Sequence, residues 1–210
     1  MALVTPEYAA DIEFPTDGWR EVPPQRCERQ WDNDYGDVLA KSWLPRGDMP
    51  TAYADPATTI PRFRQMSESL GGALFSVDSF LEPVPLVQWI SKKRKGSGYL
   101  YAAFLFIDVA NRTIVLTLMA GERGITGLRE ARVTPMLVSQ GRIQIPAERV
   151  APSTPIVGWF VDPYDPDYPG PITRSISDEE EFDSIIPDHP LSRMRRSLSD
   201  LRNRMRLEFL

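Results

Sequence analysis

A single cysteine and a single histidine stand among the 210 residues of the chain. One thiol, Cys27, excludes an intrachain disulfide and any multi-cysteine metal site. One imidazole, His189, excludes a two-histidine metal site and leaves at most one ring for nucleophilic catalysis. No Gly-x-Ser-x-Gly elbow is present to carry a hydrolase serine. No Gly-x-x-x-x-Gly-Lys-Ser/Thr loop is present either, and Gly121, Gly124 and Gly127 are spaced by three, not as a dinucleotide fingerprint. The opening MALVTPEYAAD has no basic leader, and no stretch approaches the ~20 apolar residues of a membrane span. A cytoplasmic protein without a membrane span is expected. Positive charge is also scarce: 24 Lys and Arg against 29 Asp and Glu leave a net charge of −5. Phosphate neutralisation needs a basic surface, so no specific nucleic-acid partner is expected.

Proline, by contrast, is abundant, with 20 residues where average usage of about 5% predicts half as many. Prolines fix φ and remove backbone donors, so short elements and long connections are expected. The chain is long enough for one sizeable core. Its centre is Tyr99–Met119, two strands joined by the polar segment Asp108–Arg112. The first arm is apolar on both faces, with Tyr99, Tyr101, Ala103, Leu105 and Ile107 alternating with Leu100, Ala102, Phe104 and Phe106. A strand apolar on both sides belongs in the middle of a covered sheet. Phe104 and Phe106 are expected to be buried on opposite sides or ends of the core.

Around that hairpin, Ile12 and Phe14 read as an opening strand stopped by Pro15 and a Thr-Asp-Gly turn. Residues 23–36 read as loop, Val38–Leu44 as a strand and 45–58 as connection. A helix follows, capped by Thr59, with Pro61 in its first turn and the stripe Ile60, Phe63, Met66 and Leu70 ending at Gly71-Gly72. Ala73–Leu81 reads as a strand, broken by Pro83 and Pro85 before Leu86–Ile90. Lys92–Lys95 with Gly96-Ser97-Gly98 reads as a solvated basic turn. Thr126 caps a short helix carrying Leu128 and Ala131, Thr134-Pro135 starts another, and Ile143 with Ile145 suggests a strand. Ile156–Val161 is a short apolar run before the proline- and aspartate-rich DPYDPDYPGP.

The tail gives the clearest helix. Ser177-x-x-Glu180 fits a capping box, and Pro190 opens the last helix at its favoured first position, with His189 as the cap. Leu191, Met194, Leu198, Leu201 and Met205 repeat at spacings of 3, 4, 3 and 4. That stripe is expected to pack on the chain's own sheet, the competing expectation being a partner helix. The sequence thus predicts one α+β domain over 1–210: a mostly antiparallel sheet covered by a central helix (about 60–70) and a C-terminal helix (about 190–207). A loop-rich insert at 23–58 and a Pro/Asp-rich connection at 162–189 complete it.

The opening Ile12-x-Phe14-Pro15-x-x-Gly18-Trp19 resembles the start of PsbP/Mog1/DcrB-like domains, where a strand runs into a Pro-x-x-Gly-Trp turn. The order of strands, one helix, a long hairpin and a late helix is similar to that α+β sandwich. The closing Phe182-Asp183 and Pro187-Asp188-His189-Pro190-Leu191-Ser192 resembles an ending found in bacterial proteins. Region 23–58 departs from a minimal version of the fold. The resemblance implies binding and accessory roles and no particular reaction.

The candidate chemistry is sparse. Cys27 lies beside Arg26 and Arg29, which favour a thiolate, though a bystander thiol is the default. Asp162, Asp165 and Asp167 lie in a turn-rich stretch suited to a hard cation, but lack the glycine and distal glutamate of a calcium loop. Proline–aspartate turns form without metal. The C-terminal helix carries Arg193, Arg195, Arg196, Arg202, Arg204 and Arg206 against Asp200 and Glu208. Arg193, Arg196, Arg202 and Arg206 are therefore the candidate partner-binding residues. The sequence points to a non-enzymatic accessory or adaptor domain without cofactor, whose partner is another protein, with a homo-oligomer left open. A toxin-neutralising immunity protein, for which an acidic surface suits a basic partner, is one alternative. A small-ligand binder or enzyme with a Trp-lined cleft and Asp162, Asp165 or His189 is the other.

Overall fold

The computed structural model describes residues 9–52, 54–144, 159–160, 162–171 and 173–209. Among them the chain forms nine strands: β1 (Ala9–Glu13), β2 (Arg20–Val22), β3 (Arg29–Asp32), β4 (Val38–Pro45), β5 (Ala73–Phe80), β6 (Leu86–Lys95), β7 (Gly98–Val109), β8 (Arg112–Gly121) and β9 (Arg206–Phe209). The helices are α1 (Pro56–Ser69), α2 (Leu128–Ser139) and α3 (Pro190–Arg204). The fold is α+β. Seven strands form one antiparallel sheet in the order β2-β3-β4-β8-β7-β6-β5, and β1 pairs with β9 in a separate ribbon. The apolar hairpin is therefore at the centre, with β8 the middle strand and Val109 opposite Arg112 across its tight turn.

Alternation assigns the two faces of the sheet. Tyr101, Ala103, Leu105 and Ile107 of β7 and Ile114, Leu116 and Leu118 of β8 point to the first face. There they meet Leu191, Met194, Leu198, Leu201 and Met205, all buried in the same cluster. The C-terminal stripe is thus covered by the chain's own sheet. A helix this short is marginal alone, and burial of each such side chain contributes about 1.5–3 kcal/mol. The second face is aromatic: Trp89 stacks on Phe104 at 4.4 Å, and Phe63 of α1 reaches Trp89 at 5.2 Å. Ser67 of α1 accepts the Trp89 indole N–H at 2.9 Å, so the ring is anchored as well as packed. A third, smaller cluster gathers Val133 and Leu137 of α2 with Ile143, Trp159 and Phe182.

Several expectations are corrected. Phe104 and Phe106 share the second face, because residues two apart in a strand point the same way; Phe106 is buried and Phe104 half-buried. Residues 23–36 contain β3, which buries Trp31 against the first face. α1 starts at Pro56, with Asp55 accepting the Ala57 amide at 3.1 Å, so Thr59 lies inside the helix and Pro61 in its interior. α2 runs unbroken through Pro135, and Gly127, in the left-handed region at φ 71°, precedes it in place of Thr126. The capping box is Ser175 with Asp178, two residues before the expected one, and two 3-10 turns follow at Ile176–Asp178 and Glu180–Phe182. α3 ends at Arg204, after which the chain turns extended and pairs with β1. Ile145 and Ile156–Gly158 lie outside the described residues. Among the described residues no helix is long and apolar enough to cross a membrane.

Candidate functional site

Two polar assemblies occupy the side of the sheet that α3 covers. The first is buried and holds the connection 173–190 in place. Lys92 lies in β6, on the same face as Leu86 and Ile90, and is 1% exposed. Its ammonium donates to Asp178 Oδ2 at 2.6 Å and lies 4.1 Å from the centre of the Tyr99 ring. The turn itself is Gly96-Ser97, with Arg94 and Lys95 exposed beside it as expected, but Lys92 is an interior cation. Asp178 also accepts the Ser175 amide at 2.9 Å, so its charge is shared among donors. Arg129 of α2 is fully buried and donates to the Ser177 carbonyl at 2.6 Å, the Glu179 carbonyl at 2.8 Å and the Ser192 hydroxyl at 2.9 Å. Its guanidinium also pairs with Asp183 at 2.8 Å.

His189 belongs to this assembly as the cap of α3. Its Nδ1 accepts the Leu191 amide at 3.3 Å, which leaves Nε2–H to donate to Glu122 Oε1 at 3.3 Å. Burial pulls the Glu122 carboxyl up, but donation from His189 and from the Tyr99 and Gly127 amides outweighs it and holds the group below its ordinary value. Gly98 makes this possible, because a Cβ there would come within 2.6 Å of the Glu122 carboxylate.

The second assembly is an open groove between β5, β6 and α3, with a volume of about 410 Å³. Phe75 and Phe80 supply apolar walls, and Ser76, Asp78, Gln88 and Glu180 supply polar ones. Three arginines enter it: Arg174, Arg195 and Arg202. Arg195 is committed, donating to Asp183 at 3.0 Å and to the Asp178 carbonyl at 2.7 Å. Arg202 lies over the Phe80 ring at 4.1 Å and donates to Gln88 Oε1 at 2.9 Å. Arg174 sits 5.5 Å from the Phe75 ring centre. Among the described residues, neither Arg174 nor Arg202 forms an ion pair. Burial lowers the Arg202 guanidinium below its ordinary value, with Asp78 and Glu180 acting in the opposite sense. Burial likewise raises the Asp78 carboxyl, against the Ser76 hydroxyl and the Arg202 and Arg174 charges.

The four expected partner-binding arginines separate. Arg202 lines the groove, and Arg196 is exposed in a neighbouring hollow with Glu180 and Ser199. Arg193 points inward, where its Nη2 pairs with Asp37 at 2.6 Å and its guanidinium covers Tyr35 at 4.4 Å. Arg206 is exposed and donates to the Met205 and Asn203 carbonyls. Of the aspartates expected near a cation, Asp162 pairs with Arg64 at 2.5 Å and accepts the Tyr164 and Asp165 amides, and Asp165 accepts the Asp167 amide at 3.1 Å. Cys27 Sγ lies 3.7 Å from Gln30 Oε1. Arg174, Phe75, Asp78 and Phe80 carry no sequence signal of a site, because they come from separate elements that only the fold brings together.

No family model and no curated protein matches the chain. Among solved structures it is similar to LpqN of Mycobacterium tuberculosis, described as involved in cell envelope biogenesis. The TM-score is 0.33 and the identity 18%, over 62% of this chain and 78% of that one. The PsbP/Mog1/DcrB-like resemblance rests on the sequence alone.

Proposed function

We propose that the chain is a non-enzymatic accessory domain that works by contact with another protein, and that the contact is made at the groove beside α3. One observation carries this reading. Groups with catalytic potential are committed to holding the fold: His189 caps α3, Glu122 orients it, Lys92 and Asp178 pair in the interior, and Asp162 ties Arg64. Arg174 and Arg202 instead stand over aromatic rings in an open groove, without ion pairs among the described residues. Arginine on an aromatic wall is a frequent anchor of protein interfaces, because its planar fork keeps donors free while its face is packed. The net charge of −5 would suit a basic partner such as a toxin, but the groove itself presents Arg174 and Arg202 beside Asp78 and Glu180, a surface that suits a partner carrying charges of both signs.

A photo-crosslinking amino acid placed at Ser199, on the groove rim, tests this in cells that naturally make the protein. One dominant protein adduct is expected, lost with Arg202→Ala and absent from a control position at Gln65 on the exposed side of α1. Equal labelling from both positions would refute the reading.

A further inference from the structure

We propose that the β6–β7 turn and the loop after β8 together form a membrane-surface contact, which seats on the anionic headgroups of a lipid bilayer and places one isoleucine among them. The inference goes beyond the preceding reading and shares no residue with the groove. The two tips lie side by side: the Glu122 amide donates to the Tyr99 carbonyl at 2.9 Å, and a Cβ at Gly98 would meet the Thr126 methyl at 2.8 Å. Both project away from the body, since a Cβ at Gly96 or at Gly124 would meet nothing within 4 Å. Gly124, in the left-handed region at φ 69°, turns the chain just before Ile125, which is 80% exposed. Leu128, at the start of α2, is exposed as well. Single exposed apolar residues are ordinary on a protein surface, and the charge around Ile125 is what sets it apart.

Arg94 and Lys95 beside the turn, Arg123 on the loop, and Arg132, one helical turn beyond Leu128, are all exposed. None of the four forms an ion pair among the described residues. Arg123 donates to the Gly36 carbonyl at 2.8 Å, which holds the guanidinium in place without neutralising it. The carboxylates of the same segment face inward: the Glu122 side chain is buried against His189 and two backbone amides, and Oε2 of Glu130 is buried. Asp34 and Asp37, on the loop that reaches Arg123 through Gly36, pair with Arg20 and Arg193. Even with Glu122 and Glu130 counted in full, the four cations leave an excess of two positive charges, on a chain whose net charge is −5. The sign of the patch opposes the sign of the whole, and that selects an anionic occupant at this place. Ile125 selects its kind. A nucleic-acid backbone or a run of acidic side chains offers a protruding aliphatic residue no apolar medium, whereas lipid headgroups overlie acyl chains. Cations at headgroup level around an inserted aliphatic side chain are the layout of an interfacial contact.

Sedimentation of the full-length chain with vesicles, made of phosphatidylcholine alone or mixed equally with phosphatidylglycerol, tests this. Binding is expected to the mixed vesicles only, and it should weaken as salt is raised. Lys95→Gln and Arg123→Gln should each weaken it about fivefold, the contribution of one cation near an anionic surface. Ile125→Ser, which removes only the apolar side chain, should weaken it about tenfold or more. Ile125→Trp should show fluorescence quenching by lipids brominated in their acyl chains, in excess of that of the five native tryptophans. The side chains of Lys95 and Ile125 make no hydrogen bond or ion pair among the described residues, so their variants keep the test valid even if Arg123→Gln disturbs the Gly36 loop. Equal binding to phosphatidylcholine alone, no binding to the mixed vesicles, an affinity unchanged by Ile125→Ser or by both charge variants, or no excess quenching of Ile125→Trp would each overturn the assignment. Tighter binding to polyglutamate or to duplex DNA than to the mixed vesicles would overturn it too, by making the occupant an acidic macromolecule.

Discussion

The β7–β8 hairpin and the connection 173–190 lie against the same first face of the sheet, and they are held by opposite means. Leu105, Ile107, Ile114 and Leu116 are at most 1% exposed and belong to one apolar cluster with the α3 stripe. The connection is held by polar contacts: the ion pairs of Lys92 with Asp178 and Arg129 with Asp183, and the hydrogen bond from His189 to Glu122. Apolar packing is non-directional and tolerates substitutions that keep volume and shape. A buried ion pair fixes geometry more sharply, because removing either partner strands a charge. The difference explains why the groove has a defined wall: Arg174 and Glu180 belong to a segment pinned at Ser175, Ser177 and Asp178.

The largest expected effect follows from breaking the charged side of that comparison. Lys92→Ala leaves Asp178 buried without its cation and should cost about 3–5 kcal/mol in urea unfolding. On the apolar side, Leu105→Ala should cost about 2–5 kcal/mol through lost transfer energy and a cavity. The two should differ more in their local consequences. Lys92→Ala should raise amide exchange across 173–182, whereas Leu105→Ala should raise it in β7 and β8. A Lys92→Ala protein that melts like wild type would show that the buried pair is not what holds the connection.

A smaller effect concerns acid. Glu122 is held below its ordinary value of 4.5 by His189 and two backbone amides, which outweigh its burial. A depressed carboxyl contributes stability that is fully present above 4.5 and is lost as the pH falls through the depressed folded value. Glu122→Gln should therefore be less stable than wild type at neutral pH, with the gap closing below 4.5. Melts of both proteins across that window check it. A gap that stays constant would assign the loss to shape instead of charge.

The apolar half of the structure was legible in the sequence because burial leaves a period. The α3 stripe at spacings of 3 and 4 and the two-sided strand at Tyr99–Ile107 both report the faces they bury. The polar half leaves no period. Lys92 stands in a Lys-Lys-Arg-Lys run that looks solvated, and only the position of Asp178, 86 residues on, makes it interior. β3 has one apolar residue, Trp31, in Arg29–Asp32, too few for alternation to show. β9 follows a helix without a breaker, so its first two residues, Arg206 and Leu207, read as more helix. Of the groove, Arg202 was singled out by the arginine-rich helix, while Arg174, Phe75 and Phe80 were not. Convergence of separate elements is a property of the fold.

The smallest expected effect separates two caps for α1 that sequence chemistry allows. Thr59 and Asp55 are both residues that accept orphan amides at a helix start. In the structure Asp55 has the extended backbone of a cap, at φ −64° and ψ 127°, and its Oδ1 accepts the Ala57 amide at 3.1 Å. Pro56 at the first helical position has no amide to satisfy. Thr59 instead turns its hydroxyl back to the Asp55 carbonyl, donating at 2.8 Å from inside the first turn. The carboxylate of Asp55 also opposes the positive end of the helix dipole. Asp55→Ala should therefore cost about 0.5–2 kcal/mol, and Asp55→Gly only a few tenths, since glycine also tolerates the cap conformation. Thr59→Ser keeps the hydroxyl and leaves the cap untouched, so its cost should be that of one lost methyl, near 1 kcal/mol. Urea unfolding of the three variants side by side decides it: Asp55→Ala indistinguishable from wild type would move the cap away from Asp55. Because α1 covers Trp89 through Phe63 and Ser67, the same variants should show whether loosening the helix start reaches the aromatic stack, read as a change in tryptophan fluorescence.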